Sequence, residues 1–160
     1  MLFRRAAQVA LQASLLLALD PEGTPRRMRD LANELEVGAT YLAKILQNLI
    51  RVGLLRGVRG PGGGVQLARS ARDIHPWDIL TAIESAGEFE QCILGLQMCN
   101  DLHPCSFHDA WTPIRGQILV MLQTKSLWQF AVDAQKKGAL GWKSTRGLGV
   151  ALARGSAEAS

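Results

Sequence analysis

The run Gly60-Pro61-Gly62-Gly63-Gly64 narrows the folds open to this chain more than any other feature. Four glycines and a proline in five positions can extend neither a helix nor a strand, whereas glycine supplies the positive φ values a tight turn needs. Short strand-like runs flank it, Leu54 to Arg59 before and Val65 to Ala68 after, so the glycines are expected to form the tip of a β-hairpin. A phosphate-cradling loop is the competing reading. That motif requires a Lys-Ser/Thr pair opening a helix, and here Val65-Gln66-Leu67 continues as a strand. Arg56 and Arg59 sit on the hairpin arm. A thin tip carrying Gly60 and Pro61 beside arginine suits the narrow minor groove of a duplex.

What precedes the hairpin gives it a context. "RRAAQVALQASLLLAL" places Val9, Leu11, Leu15, Leu16 and Leu19 where a helix would bury them, and "DPEGTP" then breaks the chain. Met28, Leu31, Leu35 and Val37 follow at helical spacing, with Gly38 expected to end that helix. Leu42, Ile45, Leu46 and Leu49 make the apolar face of the next. Two amphipathic helices joined by a short glycine-containing turn form a helix-turn-helix pattern, a weak signal alone because many bundles contain one. The polar face of the second helix says more. Thr40, Lys44, Gln47 and Arg51 share one stripe, flanked by Tyr41 and Asn48, with no carboxylate among them. Thr40, Tyr41 and Lys44 lie near the helix N-terminus, the end that meets base edges in a major groove, and Arg51 is better placed for a phosphate. Helix, helix-turn-helix and basic hairpin in that order predict a winged helix.

Charge agrees with a polyanionic partner. Residues 1–75 carry eleven Lys and Arg against six Asp and Glu, residues 76–130 two against six, and the last thirty residues five against two. A solvated surface is the bland alternative. The early "RR" before an apolar run resembles a signal peptide, but glutamines interrupt the run and no small-residue cleavage site follows. No apolar run reaches bilayer length. A cytoplasmic protein is the expectation, with no membrane partner and no small-molecule substrate identified.

All three cysteines fall in "CILGLQMCNDLHPCSFH", residues 92–108. An odd number excludes a complete intrachain disulfide framework. The spacing Cys92-x6-Cys99-x5-Cys105-x2-His108 is neither a zinc-finger pair nor a ferredoxin run. Gly95, Asn100, Asp101 and Pro104 make the stretch a loop, in which ligands converge without helical or strand register. Ser106 and Asp109 form an [ST]-x-x-[DE] signal for a helix starting near residue 107, which Pro113 either enters or restarts. Buried cysteines acting as small hydrophobes are the structural alternative to metal binding. His75 and His103 stand alone and read as surface or capping residues. No nucleophile–base or paired-carboxylate arrangement stands out, so no catalytic residue is assigned.

"YLAKILQNLIRVGLLRGVRGPGGGVQLAR" strongly resembles the wing region of the IscR/NsrR/CymR family of bacterial regulators, the Rrf-two superfamily. "RGPGGG" before an apolar-x-Leu-Ala stretch is its most recognisable element, "DIHPWDILTAIES" looks like the helix after the wing, and the likeness runs over roughly residues 1–135. The resemblance implies a homodimeric winged-helix transcription factor, repressor or activator, bound to double-stranded DNA. Several members are similar to iron–sulfur or nitric-oxide sensors; others hold no cluster. Cluster-binding members place three cysteines in this loop, and the IscR-like ones add a histidine where His108 stands. The resemblance therefore implies Cys92, Cys99, Cys105 and His108 as ligands of a cluster, [2Fe–2S] rather than [4Fe–4S], or else no cofactor. NsrR-like members use an aspartate from the partner's first helix, and the corresponding position here is Gln8, a poor iron ligand. The first gap is one residue longer than in the usual cluster binders.

The expected fold is mainly α with a small β-hairpin wing: a winged helix-turn-helix plus a long dimerisation helix. Residues 1–75 would be the DNA-binding domain, 76–135 the cysteine loop and dimerisation helices, and 136–160 a flexible tail. Trp111, Ile114, Ile118, Met121 and Leu122 form a stripe read as part intrachain core and, from the family, part dimer seam. A cluster-free regulator answering to a thiol modification, small molecule or partner protein is the second reading. A thiol redox enzyme is the third, weakened by the missing C-x-x-C.

Overall fold

The computed structural model describes residues 3–20, 23–89 and 91–137. Its elements in order are α1 (Arg5–Ala18), α2 (Met28–Glu34), α3 (Ala39–Arg51), β1 (Leu55–Val58), β2 (Gly64–Leu67), α4 (Pro76–Ile83), a 3-10 turn at Ala86–Phe89, α5 (His108–Thr124) and α6 (Leu127–Lys137). The expected tail from residue 138 onward lies outside the described residues.

Helix α1 is the spine of the core. Ala and Leu favour the helix intrinsically, and Ala7, Val9, Ala10, Ala13, Leu16 and Leu17 are buried along its length. The small alanines let α3, α4, α6 and β2 approach it. Leu31, Leu35, Leu42, Ile45, Leu46 and Leu49 join the same apolar cluster, as the periodicity of α2 and α3 predicts.

The turn of the helix-turn-helix differs from expectation in one respect. Gly38 does not end α2; it is the N-cap of α3, and Glu36 takes the left-handed conformation at φ 53°. Val37 N–H donates to Ala32 O at 2.9 Å and Glu36 N–H to Asn33 O at 3.2 Å, which closes α2 with a Schellman motif. The motif requires a left-handed residue one position after the C-cap Leu35, and that position falls on Glu36, two residues ahead of the glycine.

The wing is a two-stranded antiparallel hairpin with Arg56 opposite Gln66 and Val58 opposite Gly64. Gly60 and Gly62 adopt φ values of 95° and 78° at its tip. A third segment joins it: Arg26 pairs with Val65 through bonds of 2.9 and 2.8 Å. Gly64 makes that approach possible, because a Cβ there would stand 2.2 Å from Arg26 O.

Two helices follow the cysteine loop. Helix α5 runs unbroken through Pro113. Its start corrects one expectation: the N-cap is Phe107, without a side-chain cap, so the Ser106–Asp109 box does not form. Residues 105–108 are already committed to a turn in which His108 N–H donates to Cys105 O at 3.0 Å. Helix α6 is a separate element beyond the apolar stripe that ends at Leu122. Ser126 and Gln129 cap it reciprocally, with Ser126 N–H donating to Gln129 Oε1 at 2.8 Å and Gln129 N–H to Ser126 Oγ at 3.3 Å.

The first turn of α6 is tied to the segment leaving the wing. Leu127 N–H donates to Ile74 O at 2.7 Å, Trp128 N–H to Ala71 O at 3.0 Å, and the Arg72 guanidinium lies over the Trp128 ring. Leu127 and Ala131 are fully buried in the cluster that α1 organises. Helix α5 meets the core at its C-terminal half, where Leu122 packs with Ala7 and Leu80 and Ile118 lies alongside. No helix of the described residues is long and apolar enough to cross a membrane.

Candidate DNA-binding face and metal-ligating loop

Helix α3 separates its two faces cleanly. Leu42, Ile45, Leu46 and Leu49 are buried; Thr40, Tyr41, Lys44, Gln47 and Arg51 are exposed, and Asn48 is half-buried. The Arg51 guanidinium donates to Asn48 Oδ1, so these two form a local pair at the far end of the stripe. Arg56, Arg59, Gly60 and Pro61 are exposed on the hairpin. Arg56 differs from Arg59 in having a wing partner: with the Gln66 amide oriented to accept, Arg56 Nε donates to it at 2.8 Å. Arg56 therefore braces the hairpin. Arg26 is also committed, in a 2.6 Å ion pair with Glu34.

The cysteine loop is built from a chain of tight turns. Gly95 N–H donates to Cys92 O at 2.8 Å, with Gly95 at φ 70°, and Cys99 N–H donates to Leu96 O at 3.3 Å. Asn100 Oδ1 accepts from Leu102 N–H and His103 N–H at 2.9 and 3.0 Å, an Asx turn that folds "NDLH" back on itself. His103 acts only through its backbone in this turn, and His75 stands at the N-cap of α4, where its N–H donates to Asp78. Trp111 of α5 donates its indole N–H to Gln91 O at 3.3 Å and so pins the loop's start to the helix that follows it.

These turns gather the three thiols. The sulfurs of Cys92, Cys99 and Cys105 lie within 4.8 Å of one another, with Cys92 Sγ and Cys105 Sγ 3.4 Å apart. His108, in the first turn of α5, places Nδ1 3.3 Å from Cys99 Sγ and Nε2 3.0 Å from Asp101 Oδ1. The three thiols thus converge and His108 stands beside one of them, Cys99, at a cavity of about 440 Å³ that Trp111, Thr112, Arg115 and Leu119 also line. The cysteines are half-buried and belong to neither apolar cluster, which counts against a pure packing role. Gln8 is turned to the chain's own start: its side-chain amide donates to Phe3 O at 3.2 Å.

Local electrostatics differentiate the thiols. Desolvation would raise the Cys92 pKa, but hydrogen bonds from the Leu94 backbone, the Cys105 and Cys99 side chains and the Leu96 backbone outweigh it and bring the group down to about 7. Cys99 is held above its ordinary value. A backbone bond from Cys105 lowers it, yet desolvation and the neighbouring Cys105 and Cys92 thiols prevail. The donor set fits an iron–sulfur cluster: three convergent sulfurs, one of them with its pKa drawn down to about 7, and an imidazole nitrogen beside Cys99. Asp101 was legible in the sequence only as a turn former, since a contact seven residues away across a loop has no periodic signature.

A helix-turn-helix with an exposed, carboxylate-free second helix and a basic glycine-tipped hairpin defines a winged-helix DNA-binding regulator. The chain belongs to the Rrf2 family, described as iron-dependent transcriptional regulators, whose model it matches over residues 3–133. It is 30% identical over 120 residues to a candidate HTH-type transcriptional regulator of Aquifex aeolicus (strain VF5), spanning 74% of this chain and 83% of that one. It is 27% identical over 124 residues to the HTH-type transcriptional regulator IscR of Vibrio atlanticus (strain LGP32), spanning 78% and 71%. In fold it is similar to CymR, the global cysteine regulator of B. subtilis, with a TM-score of 0.67 at 23% identity over 81% of this chain and 95% of that one. T. potens IscR gives a TM-score of 0.66 at 24% identity over 84% and 88%.

Proposed function

We propose that this transcriptional regulator is a cytoplasmic homodimer that binds a roughly palindromic duplex site and senses redox state, iron–sulfur status or nitric oxide through a labile cluster. Cys92, Cys99, Cys105 and His108 would hold it. The observation that carries this reading is the convergence of three half-buried sulfurs within 4.8 Å, with His108 Nδ1 3.3 Å from one of them. Three thiolates and one imidazole favour [2Fe–2S] over [4Fe–4S]. When bound, the cluster supplies a one-electron redox centre that oxygen or nitric oxide can attack, and imidazole ligation raises its potential.

The chain's own residues would do the rest. Thr40, Tyr41, Lys44 and Gln47 would face base edges, Arg51 with Asn48 a phosphate, and Arg59, Gly60 and Pro61 the neighbouring minor groove, with Arg56 supporting the wing. In a dimer the two α3 helices would address half-sites about 34–36 Å apart. Ile114, Val120 and Met121 on α5 are 43–59% exposed, an apolar face that a second copy would cover. Residues 1–75 would thus read DNA while 76–135 sense and dimerise. Because α5 begins at His108 and leads directly into α6, whose first turn bonds to residues 71 and 74, a change at the loop has a covalent and hydrogen-bonded route to the wing.

Iron and acid-labile sulfide analysis of anaerobically purified protein, with its visible absorption spectrum, tests the cluster. Stoichiometric iron and sulfide support it; colourless protein that still binds its operator overturns it. A second reading, a cluster-free thiol switch within the same family, draws on the 3.4 Å separation of Cys92 and Cys105. An enzymatic role has no support from the relatives, which are regulators.

A further inference from the structure

We infer that Asp101 is a positioning residue for His108: its carboxylate takes the Nε2–H proton donor and so aims the unprotonated Nδ1 at the thiol cluster. This rests on the cluster reading above. Nε2 lies 3.0 Å from Asp101 Oδ1 and Nδ1 3.3 Å from Cys99 Sγ, so the two ring nitrogens face different partners. A carboxylate can only accept from the ring, which assigns a proton to Nε2; in the neutral imidazole the lone pair then falls on Nδ1. That lone pair accepts from the Cys99 thiol at 3.3 Å, and it would be the nitrogen offered to iron.

The loop is shaped to keep Asp101 in place. Asn100 Oδ1 holds the N–H groups of both Leu102 and His103, and the Asn100–His103 bridge closes the turn, so Asp101 occupies its corner. His108 is itself fixed by the first turn of α5 and is 14% exposed, whereas Asp101 is 95% exposed. An exposed ion pair of this kind adds little to folding stability. Its effect is directional: it selects one tautomer and one ring orientation, as carboxylates behind ligating histidines do in metal sites generally.

The test compares full-length wild type with Asp101→Ala and Asp101→Asn, because Asn retains an acceptor oxygen and Ala does not. In long-range nitrogen–proton spectra of the reduced, metal-free protein, His108 should be protonated at Nε2 in wild type and Asp101→Asn, and a tautomer mixture in Asp101→Ala. In anaerobically reconstituted protein, Asp101→Ala should release iron to a chelator about 10–100-fold faster and weaken the imidazole nitrogen coupling in pulsed EPR of the reduced cluster. Asp101→Asn should stay close to wild type in both. Wild-type His108 protonated at Nδ1 overturns the inference. So does an unchanged tautomer in Asp101→Ala, or a changed one with unchanged iron release. Wild-type protein that takes up no iron overturns the cluster reading and with it the ligand role, while the tautomer spectra still decide whether Asp101 orients the ring.

Discussion

Cys92 and Cys105, thirteen positions apart in the chain, bring their sulfurs to 3.4 Å, and neither belongs to the apolar core. The turns at Gly95 and Asn100 account for this proximity, since each reverses the chain between the two residues. The sulfurs are therefore held together by the chain's own turns, and such local ordering lowers the entropy that ligand capture must overcome.

The same proximity gives Cys92 a distinct pH response. Its pKa is brought down to about 7, so its thiolate form accumulates as pH rises through 7 and is nearly complete above 8. Alkylation of the reduced, metal-free protein by iodoacetamide should therefore label Cys92 first. Its rate should level off about 1.5 pH units earlier than that of an ordinary thiol near 8.5. Mass-spectrometric mapping of the labelled site against pH checks this; uniform labelling of all three cysteines would contradict it.

Ligand substitutions should separate by donor. Cys92→Ala, Cys99→Ala and Cys105→Ala should each abolish or destabilise the cluster, because iron deprived of a thiolate is open to water and oxidation. His108→Ala should be milder, and His108→Cys should keep a cluster of lower potential. The fold should survive all four, with unfolding free energies within about 1 kcal/mol of wild type, since none of these residues packs in the core. Iron, sulfide and thermal denaturation of each variant decide it; unfolded cysteine variants from an iron-free wild type would make them packing residues.

DNA binding should weaken steeply with salt as counterions are released. Arg59→Ala should reduce the slope of log affinity against log salt by about 1 and weaken specific and random duplex alike, or act preferentially at A·T-rich flanks. Lys44→Ala should instead alter base preference, by about 1–3 kcal/mol at one position of the site. Fluorescence anisotropy over a salt series and a set of operator variants distinguishes them. No change from either substitution would mean that the assigned face is wrong.

Gly64→Ala should cost about 1–3 kcal/mol and loosen the wing, because the added Cβ cannot coexist with Arg26 O at 2.2 Å. Denaturant unfolding reads the first effect, and exchange protection of the Arg26 and Val65 amides the second. A Gly60→Ala control has no neighbour to meet but must hold φ at 95°, so its cost should be backbone strain confined to the tip.

Leu127→Ala should be more damaging, by about 2–5 kcal/mol, since Leu127 is fully buried against the α1 core. Calorimetry measures it, and a loss under about 1 kcal/mol would show that α6 is dispensable to the core.

How far the sequence reached depended on how local the determinant was. Leu42, Ile45, Leu46 and Leu49 repeat at helical spacing, and their burial followed from that period alone. The glycine run likewise compelled a hairpin tip, because no other element accepts it. Confinement of three cysteines and His108 to one loop marked a candidate site. Tertiary structure decided what spacing does not encode. It put the left-handed residue at Glu36 in place of Gly38, started α5 at His108 in place of the Ser106 box, and docked α6 on the wing exit through Ile74. It also set Asp101 against His108. Each of these depends on a hydrogen bond whose partner is fixed by how the rest of the chain has already packed, and no periodic pattern of side chains records that choice.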